Sequence, residues 1–139
     1  MKGLISLTCD AWQASNTDGY FAVTGSWIDD AGPGQWVKQT ALFGFVRMNS
    51  AHNGRRLGKA LYKVAARLHI VHKVCLRNYP FVNVVYAFTQ IGWVTCDNAT
   101  NNDTMMSRFA ELIEEATKKP YDAKTRRIRY VVLTLPVNR

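Results

Sequence analysis

Up to Met48 the apolar residues of this chain fall at roughly every second position, and from Gly54 they fall at every third or fourth. Alternation suits a strand with one buried face and the longer spacing suits a helix, so the chain changes element type between these points. Tyr20–Ile28 and Trp36–Met48 are rich in Val, Thr and aromatic residues, and Asp29-Asp30-Ala31-Gly32-Pro33-Gly34 separates them. With the apolar run Leu4–Cys9 they predict three antiparallel strands, joined by polar turns at Ser15–Gly19 and Asp29–Gly34. Downstream, Leu57, Leu61, Val64, Ala65 and Leu68 form one helical stripe while Arg56, Lys59, Lys63 and Arg67 line the opposite side. Ile91–Cys96 reads as a fourth strand and Thr104–Lys118 as a second helix, with Met106, Phe109, Ala110 and Ile113 inward, Glu111, Glu114 and Glu115 outward, and Asn101 or Asp103 as its cap. Arg127–Leu135 reads as a last strand. The expected fold is therefore α/β, in the order β-β-β-α-β-α-β, with the later strands brought parallel to the first by helices packed on the sheet.

The chain has 139 residues, 47% hydrophobic and 20% charged, which fits one globular domain over 1–139 and argues against general disorder. Its formal net charge of +8 is concentrated, because residues 47–90 hold eight Lys and Arg and no acid. Such a cluster favours a polyanionic partner, and nucleic acid before membrane, since no apolar run approaches the roughly 20 residues of a membrane span. Arg55, Arg56, Lys59, Lys63 and Arg67, with Lys124, Arg126, Arg127 and Arg129, are the candidate phosphate contacts; they would position DNA without reading its sequence. Cys9, Cys75 and Cys96 contain no CxxC pair, which speaks against a zinc ribbon or disulfide framework and for a reduced, intracellular setting. Met1–Leu7 turns polar too soon for a secretory signal.

Thr8-Cys9-Asp10 and Thr95-Cys96-Asp97 are the same tripeptide, each closing a short apolar run. Neighbouring parallel strands would bring Asp10 and Asp97 together at one edge of the sheet. Paired carboxylates there suit hard divalent cations, which support phosphodiester chemistry. The same residues could instead each cap the turn that follows a strand, as Asp commonly does, and spacing leaves both readings open.

Leu7-Thr8-Cys9-Asp10-Ala11-Trp12 followed by Gly19-Tyr20-Phe21, then Ala41-Leu42-Phe43-Gly44-Phe45, His52-Asn53-Gly54, and Gly92-Trp93-Val94-Thr95-Cys96-Asp97-Asn98-Ala99-Thr100-Asn101-Asn102-Asp103-Thr104-Met105-Met106 resemble the blocks of hAT-type DNA transposases. The resemblance covers most of residues 4–73 and 91–130. It implies a ribonuclease-H-like catalytic core that cleaves DNA and transfers strands, Mg²⁺ or Mn²⁺ held by Asp10 and Asp97 as the first two acids of a triad, DNA and other transposase chains as partners, no membrane, and a nuclear location. Trp12 and Asn98, close to the two acids, are expected to brace them.

Two departures accompany it. The family's third acid, a Glu, lies beyond a large helical insertion and has no counterpart here, which predicts a chain that is inactive alone. The Cys-x-x-His expected after Arg127-Ile128-Arg129 is replaced by Tyr130-Val131-Val132-Leu133. The stretch 74–90 intervenes where His72-Lys73 would lead into Gly92-Trp93, and reads as a translated intron or other gene-model artefact, or as an inserted loop or edge strand. His52, His69 and His72 read as loop or helix-end residues rather than ligands, and Trp27, Trp36 and Trp93 as packing. The alternative to a transposase fragment is a non-enzymatic DNA-binding or assembly remnant of one; a structural module whose two Asp cap turns is the third reading.

Overall fold

The computed structural model describes residues 3–13, 18–48, 53–71, 73–79 and 82–130, with the backbone alone for 73–79 and 82–88. Three strands come first: β1 (Ile5–Gln13), β2 (Gly19–Gly32) and β3 (Gln35–Met48). They are followed by α1 (Gly54–Arg67), β4 (Lys73–Tyr79), β5 (Val82–Phe88), β6 (Ile91–Asp97), α2 (Thr100–Thr117) and β7 (Arg127–Tyr130). β1, β2 and β3 form an antiparallel meander, β6 pairs parallel with β1, and β7 pairs parallel with β6. The five-stranded sheet runs β3-β2-β1-β6-β7, so the first strand is central and a helical crossover precedes each parallel strand. This is the mixed α/β, ribonuclease-H-like architecture expected from the sequence.

Both helices cover one face of the sheet. Ile5, Leu7 and Cys9 of β1, Phe21 and Val23 of β2, and Val94 and Cys96 of β6 join Leu57, Leu61 and Val64 of α1 and Met105, Phe109 and Ile113 of α2 in a single buried core. Period-2 alternation then sends Thr8, Asp10 and Trp12 to the other, open face, where Trp93 and Ile128 are also exposed. The helices pack closely because Gly54 and Gly58 lie one turn apart on α1. A Cβ on Gly58 would sit 2.7 Å from the Met105 carbonyl and 2.9 Å from Arg108 Cβ, and one on Gly54 would strike the Asn101 carbonyl.

Several boundaries differ from the sequence reading. β1 does not stop at Asp10 but continues to Gln13, because Asp10, Ala11, Trp12 and Gln13 all have pairing partners on β2. α2 begins at Thr100, a turn before Thr104, so Asn101 and Asp103 lie within its first turn instead of capping it. Leu68, placed on the buried stripe, is 37% exposed as the C-cap of α1. The stretch 74–90 forms β4 and β5, an antiparallel hairpin whose strands pair with each other and not with the main sheet, so it is not an added edge strand. The last strand is described only to Tyr130; its expected remainder, 131–135, lies outside the described residues, as do His52 and His72.

Candidate metal and nucleic-acid site

The β1–β6 register pairs Leu7 with Val94 and Thr8 with Thr95. Asp10 and Asp97 each follow this last pair by two residues, on neighbouring strands whose paired part is spaced by about 5 Å. Both side chains leave the sheet on the open face. Asp10 is exposed and makes no hydrogen bond among the described residues. Asp97 is more tightly held, since its Oδ1 accepts the Ala99 backbone N–H at 2.9 Å and the Asn102 amide at 2.5 Å, all its described side-chain bonds falling on that one oxygen. The turn-capping alternative therefore holds in part for Asp97, whose carboxylate organises the entry to α2, and not for Asp10.

Tyr130 of β7 pairs with Asp97 in register and lies on the same face. Partial burial and the negative charges of Asp10 and Asp97 raise its phenol above the ordinary range. Arg127, one of the expected phosphate contacts, turns the other way: its side chain is only 4% exposed, and it donates to the Asp97 carbonyl at 2.9 Å and pairs with Asp103. Arg129 also reaches Asp103, at 2.8 Å, and donates to Asn98 Oδ1 at 3.1 Å. Asn98 thus contacts a cation, and Trp12 packs with Tyr20 and Phe45, ring centroids 5.8 to 6.1 Å away, so neither has a described hydrogen bond to an acid. Asn102 and Tyr130 border the site although the sequence does not single them out, and Arg127, expected as a phosphate contact, instead braces the strand end that carries Asp97. Each acts through a pairing between elements, for which the sequence carries no local pattern.

Behind the acids, on the buried face, Cys9 and Cys96 lie side by side. The Cys9 thiol donates toward the Thr95 carbonyl at 3.8 Å. The adjoining Cys9 thiol, aided by the Arg127 charge, lowers Cys96 to about 7, while the same contact and burial push Cys9 up.

The remaining expected contacts scatter. Arg126 sits 5.5 Å from the ring centroid of Trp93, on the open face. Arg55 lies near Glu111 of α2. Arg56, Lys59, Lys63 and Arg67 line a groove between α1 and β3 on the helix side of the sheet, away from the acids, and Lys124 lines a cleft with Arg127 and Arg129. Glu111 and Glu115 pair with Arg108, and among the described residues no cluster of three metal-binding side chains forms. No helix there is long and apolar enough to cross a membrane.

The chain matches the family model of the ZBED1 RNase-like domain over residues 8–79, just over half its length, a span that includes Asp10 and stops before Asp97. It is 26% identical over 110 residues to a candidate transcriptional regulator, tpeD, of Talaromyces stipitatus. That alignment takes in 79% of this chain and 10% of the relative, so the chain spans about a tenth of the relative's length. No solved structure matches it.

Proposed function

The chain belongs to the ZBED1 RNase-like domain family, which is related to the hAT elements, and from that premise we propose that it is part of a transposase-derived core that binds DNA and holds a divalent cation between Asp10 and Asp97. The observation that carries the reading is that the two acids lie two residues beyond the Thr8–Thr95 pair on adjacent parallel strands, both on the open face. Their chemistry fits the ion. Mg²⁺ and Mn²⁺ take oxygen ligands, and Mg²⁺ commonly binds through one or two carboxylates with water completing its sphere. When bound, the ion would polarise a phosphodiester and favour a nucleophilic water or 3′-hydroxyl. Asp10, which makes no hydrogen bond among the described residues, would be the adaptable ligand. Asp97 would be the fixed one, held in place by Asn102 and the start of α2. Arg126 is the expected phosphate contact that shares their face, while Arg127 and Arg129 keep β7 and α2 in register behind them. The family membership and the relative's description as a candidate transcriptional regulator support DNA association and a nuclear setting.

Mn²⁺ binding followed by electron paramagnetic resonance tests the site. Asp10→Asn and Asp97→Asn should each weaken binding by about tenfold or more; Mn²⁺ affinity unchanged in both variants would end the metal reading.

A second reading, a DNA-associating remnant without turnover, is favoured by the lack of a third acid near the pair among the described residues. The two separate in a plasmid-nicking assay with Mn²⁺. Nicking lost in Asp10→Asn supports the nuclease, whereas salt-sensitive DNA binding with no nicking supports the remnant.

A further inference from the structure

The groove between α1 and β3 encloses about 440 Å³. Its floor is aliphatic, made by Val46 and Met48 of β3 with Ala60 and Val64 of α1. Its rim is cationic, made by Arg56, Lys59, Lys63 and Arg67, all exposed. Arg67 gives one guanidinium N–H to the Phe43 carbonyl at 2.7 Å, and among the described residues no carboxylate pairs with any of the four.

Among the described residues β3 is the end strand of the sheet, so one row of its backbone N–H and C=O groups has no strand partner there. On the opposite face of the same strand Leu42 and Phe45 are 63% and 57% exposed. The edge therefore differs above and below: four cations over an aliphatic floor on the helix side, and large uncovered apolar side chains on the open side. A strand added beside β3 would send alternate side chains to these two environments. Carboxylates fit the first, with their methylenes on the floor, and aliphatic groups fit the second.

We propose that this edge takes up an extended segment of a partner protein in which acidic and apolar side chains alternate, bound by strand addition to β3. Nucleic acid fits less well. A phosphodiester has nothing to bury on an aliphatic floor, and single strands are held by aromatic stacking platforms, which the groove lacks. The cations face away from Asp10 and Asp97, so the inference is independent of the metal site. The rim from Arg56 to Arg67 is about 16 Å long, roughly the length of five extended residues.

The test is fluorescence anisotropy of a labelled peptide of about eight residues alternating glutamate and valine, titrated with the full 139-residue chain. Saturable binding is expected, weakened about tenfold or more by Lys59→Glu with Lys63→Glu. Two further peptides, N-methylated on the odd or on the even amides, report strand pairing directly and need no protein variant. One of the two should lose binding and the other keep it, since only one set of amides faces β3. Absence of binding, or equal binding by the two methylated peptides, would overturn the proposal. So would failure of the peptide alongside a DNA duplex that binds and is released by the same lysine substitutions, which would give the groove to nucleic acid.

Discussion

Arg127 shows how a charged side chain can serve the site without facing it. Its guanidinium is buried between β7 and α2, pairs with Asp103 and holds the backbone carbonyl of Asp97, so it fixes the strand end from which the second acid projects. Asp103→Asn would leave this buried cation without its counter-charge. It should cost on the order of 2 kcal/mol, read as a lower urea midpoint with an unchanged slope. The cysteine pair beneath the acids gives a second expectation. Cys96 is lowered in the folded chain from an ordinary value near 9 to about 7, so folding favours its thiolate. That contribution is complete above about pH 9 and is lost as the pH falls through about 7. Between these values stability should rise with pH, and the rise should be smaller in Cys96→Ser. Urea melts of both proteins at the two ends of the window check it, and an unchanged difference would remove Cys96 as the cause.

At the scale of elements, the α1–α2 contact depends on the lack of a side chain at Gly54 and Gly58. Glycine inside a helix ordinarily costs about 1 kcal/mol against alanine. Here the sign reverses, because a methyl at Gly58 would meet the Met105 carbonyl at 2.7 Å and a helix backbone yields little. Gly58→Ala should lower stability by about 1–3 kcal/mol despite its better helix propensity. A melting temperature equal to or above that of the parent would refute the close contact. The same packing fixes the direction of α2, whose first turn, with Asn102, holds the Asp97 carboxylate.

For the molecule as a whole, the β4–β5 hairpin stands apart from the main sheet. Its flanks meet at its base, where the Gln90 N–H donates to the Ile70 carbonyl at 2.9 Å and the Thr89 hydroxyl reaches the same oxygen at 3.4 Å. The Ile5 N–H then donates to the Gln90 carbonyl at 2.8 Å, tying this junction to the first strand. Replacing residues 72–88 by a short Gly-Ser turn should therefore leave the five-stranded sheet cooperative, with an unfolding free energy changed by no more than about 1 kcal/mol. Loss of the cooperative transition would show that the hairpin belongs to the core. The open sheet face, with Asp10, Asp97, Trp12, Trp93 and Ile128, belongs to a chain that spans about a tenth of the length of its curated relative.

Period and repetition mark the five strands of the main sheet, both helices and the two candidate acids, because alternation and helical spacing are local consequences of which face is buried. The repeated Thr-Cys-Asp marked Asp10 and Asp97, although a tripeptide cannot say which strands adjoin; the parallel β1–β6 pairing decided that. Tertiary structure also decided which cations are available. Arg56 and Arg127 look alike in a sequence, yet one lines an open groove and the other is buried against Asp103. The glycine pair on α1, the hairpin outside the sheet and the Asn102 contact were equally hidden, because each depends on residues far apart in the chain arriving at the same place. A charge or a glycine acquires its role from neighbours that only the folded chain supplies.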